Sequence, residues 1–292
     1  MTDAPTIPAP VRNPHAPTAF TPPPLSVDAH CHIFGPAATF PFAPNRSYTP
    51  PDSGYEDFLD LQSTLGLERA VFVQASCHGT DNSAMLDAIE RGEGRFSGVA
   101  MIDDATTDAE LDRMHEAGVR GIRFNFVAHL GGRPDLEKFW RLVHRVAPKG
   151  WHIVLHFDAK DIPDYTNLLA NMPTPYIIDH MGRVRTGDGL DQKPFATLLD
   201  LLDDDRAWVK ISGAERLSAT GEPPYSDVVP FARELIAKAE DRILWGTDWP
   251  HPNVRHMPDD GDLLDFLAEM APDAATREKI LVTNPQTLYP FH

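Results

Sequence analysis

The stretch VDAHCH, residues 27–32, is the first of eight short apolar runs, and it carries two histidines separated by one residue. The runs alternate with longer segments whose apolar residues recur at i, i+3 and i+4, the spacing of amphipathic helices. Parallel strands buried on both faces give such nearly continuous apolar runs. The runs are Val27–Ile33, Ala70–Ala75, Ser97–Ile102, Val119–Phe126, Trp151–Phe157, Tyr176–Met181, Ala207–Ser212 and Arg242–Thr247.

Eight helical segments separate these runs, so a strand–helix unit is repeated eight times along the chain. The segments are Tyr55–Leu65, Ala84–Arg91, Thr107–Ala117, Leu136–Val146, Ile162–Asn171, Lys193–Leu202, Pro230–Ala239 and Asp262–Ala271. This repeat predicts an α/β protein with a closed (β/α)8 TIM barrel. A doubly wound open sheet is the competing arrangement, and the absence of a GxGxxG motif after the first run weakens its dinucleotide-binding version.

The first 24 residues differ from the rest, because they contain eight of the 28 prolines and have no apolar periodicity. We expect residues 1–24 to form an extended or disordered N-terminal arm. Residues 25–292 are then expected to form a single barrel domain.

Composition excludes several classes of protein. The 43 acidic residues outnumber the 26 basic ones, giving a net charge of −17, whereas nucleic-acid binding usually requires a basic surface. No apolar run approaches the roughly 20 residues that a membrane helix needs. Two cysteines are too few for a disulfide framework. We therefore expect a cytoplasmic protein without nucleic-acid or membrane partners.

Polar residues follow four of the predicted strands. His30 and His32 would point to the same side of the first strand because side chains alternate with a period of two. His156, His180 and Asp248 end the fifth, sixth and eighth strands. The carboxyl ends of barrel strands meet on one face, so these side chains should share a site. Imidazoles with one carboxylate suit an open Zn²⁺ site whose bound water is activated for hydrolysis.

Longer motifs give a specific resemblance. The sequence from about Leu25 to its end resembles the lactonase branch of the amidohydrolase superfamily of TIM-barrel hydrolases. The motifs that carry it are DAHCHIFGP (28–36), VQASCHGTDN (73–82), GIRFNF (121–126), IDHMGR (178–183), WGTDWPHPN (245–253) and VTNPQTLY (282–289).

The resemblance implies a role for each matching residue. Metal-independent lactonases of this branch carry a tyrosine where this chain has His156, which restores the pattern of the mononuclear zinc members. One Zn²⁺ per chain would be held by His30, His32, His156 and Asp248. Asp248 would also act as the base, and His180 as its catalytic neighbour.

The resemblance also implies residues that bind the substrate, namely Tyr48, Ser76, His78, Arg123 and Arg216. The relatives hold a substrate carboxylate with an arginine shortly after GIRFNF. This chain has residues 127–130, VAHL, at that place, so the cation is missing unless Arg133 or His129 replaces it.

The function expected from these features is metal-dependent hydrolysis of a small anionic lactone in aromatic-compound catabolism, of the muconolactone type such as 4-sulfomuconolactone. Three alternatives stay open. One is metal-independent hydrolysis of 2-pyrone-4,6-dicarboxylate. Another is action on a sugar-acid lactone, or decarboxylation, within the same superfamily. The third is a non-enzymatic binding protein on the same barrel.

Overall fold

The computed structural model describes residues 4–130 and 132–291, except for the side chain of His129. The strands are β1 (Val27–Cys31), β2 (Arg69–Val73), β3 (Phe96–Ala100), β4 (Val119–Asn125), β5 (His152–His156), β6 (Tyr176–Ile178), β7 (Ala207–Lys210) and β8 (Ile243–Leu244). The helices are α1 (Tyr55–Leu65), α2 (Ser83–Arg91), α3 (Asp108–Ala117), α4 (Leu136–Val146), α5 (Thr166–Ala170), α6 (Lys193–Leu201), α7 (Ala214–Leu217), α8 (Val229–Ala239), α9 (Asp260–Met270), α10 (Ala274–Glu278) and α11 (Asn284–Leu288).

The strands form one parallel sheet in the order β1 to β8, each paired with the next along the chain. The residues after β8 bind back to β1: the Ala29 N–H donates to the Trp245 carbonyl at 2.9 Å, and the Asp248 N–H donates to the His30 carbonyl at 2.8 Å. The predicted TIM barrel is confirmed.

Two apolar layers stabilise the barrel. Val27, Val71, Val99 and Val154 belong to a fully buried cluster inside it. A larger cluster joins the outer faces of the strands to the helices, as where Phe58 of α1 packs edge-on against Phe72 of β2, with ring centroids 5.0 Å apart. Because the barrel interior is filled with side chains, the open space for chemistry lies at the strand ends.

The junction of β8 with β1 requires a glycine. A Cβ atom on Gly246 would lie 2.4 Å from the His30 backbone nitrogen. Only a residue without a side chain therefore allows the chain after β8 to approach β1 so closely. This contact brings the residues that follow β8 next to the histidines of β1.

Several strands end earlier than the apolar runs predict, because the backbone turns sharply at their polar ends. His180 and Met181 have φ values of 49° beyond β6, and Asp248 has a φ of 65° beyond β8. Positive φ is unfavourable for residues with side chains and is found mainly where surrounding structure imposes it. Here it directs His180 and Asp248 across the mouth of the barrel.

Residues 4–24 run along the surface in an extended conformation, with a single bridge between Thr6 and Thr49. Near the other end of this segment, Phe20 packs against the outer apolar cluster. Within the described residues, no helix has the length and apolar character needed to cross a membrane. The cytoplasmic location expected from the sequence stays a prediction.

Candidate active site

A pocket opens at the carboxyl ends of the strands. It is lined by His32, Tyr48, Ala75, Ser76, Arg123, Leu130, His156, His180, Arg183, Arg216, Asp248, Pro252 and Asn253. Residues predicted from the ends of β1, β5, β6 and β8 thus face one space, as do Tyr48, Ser76, Arg123 and Arg216. His30 lies directly beneath, completely buried.

The Asp248 carboxylate is the centre of the pocket floor. Its Oδ1 lies 3.1 Å from Nε2 of His32 and 3.4 Å from Nε2 of His30, and its Oδ2 accepts a hydrogen bond from Nε of Arg216 at 3.0 Å. Burial alone would raise the pKa of Asp248, but Arg216 and His180 more than offset this effect. The pKa therefore lies well below its usual value, and Asp248 is a carboxylate at neutral pH.

His180 is held beside this carboxylate. Its Nδ1 is hydrogen-bonded to the Ser212 hydroxyl at 2.9 Å, and its Nε2 lies 3.8 Å from Oδ1 of Asp248. Burial lowers the pKa of His180 to about 4, so the imidazole is neutral at pH 7. A neutral imidazole held beside a buried carboxylate can donate or accept a hydrogen bond during a reaction.

A buried ion pair supports the floor from below. Nζ of Lys210 lies 3.2 Å from Oδ1 of Asp179 and donates to Nδ1 of His30 at 2.9 Å. Arg123 donates from Nε to the other Asp179 oxygen at 3.0 Å. Nδ1 of His30 also lies 3.3 Å from Oδ1 of Asp179, so Lys210, Asp179 and His30 form one buried polar group beneath Asp248.

His156 lies between two guanidinium groups. Nη2 of Arg123 is 3.3 Å from its Nδ1, and Nη1 of Arg183 is 3.4 Å from its Nε2. Asn125 places its amide oxygen 3.3 Å from the same Nδ1. Burial, reinforced by Arg123, keeps the pKa of His156 well below the usual value. His156 is thus a neutral imidazole that lies between the guanidinium groups of Arg123 and Arg183 and contacts both.

The predicted metal ligands come together only in part. The buried groups whose ligand atoms lie within 4.8 Å of one another are His30, His180 and Asp248, a set that could hold a metal ion. His32 remains close to Asp248, whereas the two ring nitrogens of His156 face arginines. The geometry therefore favours a different ligand set from the predicted His30, His32, His156 and Asp248.

The charged side chains around His30, His180 and Asp248 already balance one another, which does not favour binding of a divalent ion. Three buried or nearly buried cations face three carboxylates: Lys210, Arg123 and Arg216 against Asp179, Asp248 and Glu215. A divalent ion would add two positive charges that no further described carboxylate in the pocket lining balances. An uncompensated buried charge is strongly unfavourable.

Three of the predicted substrate-binding residues, Tyr48, Ser76 and His78, come from the loops after β1 and β2, and only two of them line the pocket. Tyr48 is buried, and its hydroxyl accepts a hydrogen bond from Ser76 at 3.4 Å; both residues line the pocket. His78 does not line it: its Nε2 accepts from the Gly35 N–H at 3.1 Å, and its Nδ1 lies 3.3 Å from the Pro41 carbonyl. His78 therefore orders the loop after β1 instead of facing the substrate space.

Arg183 was not identified from the sequence as a cation of the pocket, although the sequence shows that the arginine expected after GIRFNF is absent. Arg183 lines the pocket from the turn after β6 and pairs with Asp158 at 3.4 Å. Arg133 instead lies over the Tyr165 ring, 5.3 Å from its centroid, in a separate groove. The side chain of His129 lies outside the described residues. The signal available was IDHMGR itself, whose last residue is Arg183.

A barrel whose strand ends present histidines and an aspartate around one pocket is typical of the amidohydrolases. The chain belongs to this family: the family model described as amidohydrolase matches residues 27–291.

Individual relatives are similar over nearly their whole length. A 2-pyrone-4,6-dicarboxylate hydrolase of Comamonas testosteroni is 46% identical over 273 residues, with 90% of each chain covered. A 4-sulfomuconolactone hydrolase of Rhizobium radiobacter is 46% identical over 278 residues, covering 94% of this chain and 93% of the relative. Among solved structures, an Agrobacterium tumefaciens protein matches with a TM-score of 0.82 at 30% identity, covering 93% and 98% of the two chains.

The Lys210–Asp179 pair makes a prediction about stability. Lys210→Met should lower the free energy of unfolding by about 3 kcal/mol, because it leaves the Asp179 carboxylate buried with less compensating charge. Urea denaturation followed by circular dichroism measures the change. The matched control is Lys238→Met, which breaks a surface pair with Asp203 and should cost less than about 1 kcal/mol.

Adding Asp179→Asn to Lys210→Met should not recover the lost stability, because the buried Arg123 then loses the carboxylate to which its Nε donates. A single Lys210→Met variant as stable as the parent would show that Lys210 does not compensate Asp179.

Proposed function

We propose that this protein hydrolyses the ring ester of a small anionic lactone, with Asp248 as the base. The observation that carries the proposal is the buried Asp248 carboxylate, which faces imidazoles through Oδ1 and Arg216 through Oδ2. The named activities of the two relatives at 46% identity, both lactone hydrolases, support it. The alternative of a non-enzymatic binding protein does not account for the catalytic groups gathered here.

In the proposed reaction, Oδ1 of Asp248 accepts a proton from water while the oxygen of that water attacks the lactone carbonyl carbon. The carbonyl oxygen gains negative charge, which the His180 imidazole of the pocket lining stabilises. The bond from the carbonyl carbon to the ring oxygen then breaks. Asp248 returns its proton to the departing ring oxygen, so the products are an open-chain acid and a hydroxyl group.

Arg216 links binding of the substrate to the strength of this base. While Arg216 is paired with Asp248, the carboxylate has a low pKa and is a weak base. An anionic substituent that binds Arg216 shares its positive charge and so weakens its effect on Asp248. The pKa of Asp248 then rises towards the range in which a carboxylate accepts a proton readily.

The charge of the pocket supports a substrate with two anionic groups. Among the described lining residues, Arg123, Arg183 and Arg216 are the arginines, and their guanidinium groups suit a carboxylate or sulfonate. Within this class we favour a muconolactone-type substrate such as 4-sulfomuconolactone, which is named for a relative 46% identical over 94% of this chain. Hydrolysis of 2-pyrone-4,6-dicarboxylate is the alternative. An uncharged sugar-acid lactone would offer these guanidinium groups no anion beyond the protein carboxylates that they already contact.

The mechanism uses the side chains of the protein and needs no step through a metal. The sequence prediction of one Zn²⁺ per chain stays a prediction. The cations around His30, His180 and Asp248 argue against it, because Lys210 and Arg216 already contact this set. We therefore propose that the metal-independent form of the reaction applies to this chain.

Asp248→Asn should lower kcat by about 10³-fold, because an amide cannot accept the proton of the attacking water. The measurement is ring opening of 4-sulfomuconolactone and of 2-pyrone-4,6-dicarboxylate, followed by ultraviolet absorbance, with kcat/KM compared between the two. Asp203→Asn, at an exposed carboxylate paired with Lys238, is the control and should keep the parental rate. Undiminished turnover in the Asp248 variant would rule out the proposed base.

Prolonged dialysis against a chelator should leave kcat/KM within about twofold of the untreated value, because in the proposed mechanism a protein side chain, and not a metal ion, stabilises the carbonyl oxygen. Metal analysis of the same samples shows whether a bound ion was removed. A loss of turnover that Zn²⁺ restores, and Mg²⁺ does not, would overturn the metal-independent proposal and support the zinc prediction.

A further inference from the structure

The beginning of the described chain pairs with the loop that carries Tyr48. The Thr49 N–H donates to the Pro5 carbonyl at 2.8 Å, and the Ile7 N–H donates to the Thr49 carbonyl at 3.1 Å. The Thr49 hydroxyl adds a bond to the Ala4 carbonyl at 3.3 Å. Both backbone groups of Thr49, the residue after Tyr48, are therefore satisfied by the N-terminal arm.

The loop has few other backbone hydrogen bonds near this point, where the Arg46 side chain also binds the Thr49 hydroxyl at 2.8 Å. Its early part is held where the Ala43 N–H donates to the Cys77 carbonyl at 2.8 Å, and its end is held by two bonds of 2.8 Å between Phe34 and Ser53. Pro50 and Pro51 lie between, and proline has no N–H to donate. The segment around Tyr48 thus depends on the arm for its backbone pairing.

Side chains reinforce the contact. Ile7 of the arm packs on a buried cluster formed by Phe34, Tyr48, Ala75 and Cys77. Leu130, which lines the pocket, packs on the same cluster. Removing Ile7 would expose apolar surface on the outer side of the group that places the Tyr48 ring beside the substrate space.

The arm is fixed a second time, away from the pocket. The Thr18 N–H donates to Asp265 of α9 at 2.8 Å, and the Thr18 hydroxyl donates to the same carboxylate at 2.8 Å. His15 lies 3.1 Å from Asp259 at the start of that helix. Two anchors therefore hold the arm in place, one on α9 and one on the Tyr48 loop.

We propose that residues 4–7 of the arm are a positioning element for substrate binding, holding the Tyr48 loop in its binding conformation. This inference rests on the proposed function, because it assigns Tyr48 to the anionic lactone. A loop that adopts its binding conformation only part of the time weakens apparent affinity by that fraction. The arm therefore affects KM more than kcat, since Asp248 and His180 lie on other elements.

The test compares the full chain with a chain shortened to begin at Ala9, and with Ile7→Pro, which removes the N–H that binds Thr49. Both changes should raise KM about fivefold to tenfold and leave kcat within about twofold. In the shortened chain Tyr48→Phe should add little further increase in KM, whereas in the full chain it should raise KM clearly. The control is Thr18→Val, which weakens the α9 anchor and should leave KM unchanged.

Hydrogen–deuterium exchange of the peptide covering residues 43–52 tests the same proposal without a substrate. Exchange should be faster in both arm variants and unchanged in Thr18→Val. Equal exchange and equal KM in the shortened and full chains would overturn the proposal. If no lactone is hydrolysed by the full chain, the proposed function fails, and the exchange comparison still decides whether the arm orders the loop.

Discussion

The Asp248 carboxylate is buried where the chain after β8 closes the barrel against β1, and the site depends on how that charge is compensated. The Asp248 N–H binds the His30 carbonyl, so one hydrogen bond both closes the barrel and sets the distance between the carboxylate and the β1 histidines. A buried carboxylate is stable only with close partners. Arg216 supplies the opposite charge, and His30, His32 and His180 supply polar contacts.

This compensation also bears on the anionic substrate that we propose for an acidic protein. The net charge of −17 opposes an anion at long range, but salt screens such fields within about 10 Å. Inside the pocket, Arg123, Arg183 and Arg216 determine the local potential. Arg216 is paired with Asp248 and Arg183 with Asp158, so a bound anion would share these guanidinium groups with carboxylates of the protein.

Strand order and periodicity made much of the site predictable. An HxH pair on β1 and polar residues at the ends of later strands must meet in a closed barrel, so His30, His32, His180 and Asp248 could be grouped from the sequence. The helix bounds of α1 and α4 were predicted to the residue, because their apolar spacing is regular. The family resemblance added Tyr48, Ser76, Arg123 and Arg216, all of which line the pocket.

The other features of the site depend on where individual side chains point, which the periodicity of the sequence does not determine. Lys210 looks like an ordinary strand residue, and only the three-dimensional structure shows its contact with His30. His156 ends a strand like a ligand, yet two arginines from different elements flank it. Arg183 sits in a turn with a φ of 54°, so its direction could not be inferred from strand alternation. The arm lacks apolar periodicity, and its contacts with the barrel combine hydrogen bonds near Thr49 and Asp265 with single apolar residues such as Ile7.

The most direct test of the central claim is the pH dependence of kcat/KM, which reports the ionisation of groups in the free enzyme. If Arg216 holds Asp248 in its charged form, Asp248 stays ionised below its ordinary pKa of 3.8, and the acidic limb of the parent lies no higher than the His180 pKa of about 4. In Arg216→Met the limb should move up by about one pH unit or more, whereas Arg216→Lys, which keeps the charge, should move it less. An acidic limb at the same pH in the parent and in Arg216→Met would contradict the account.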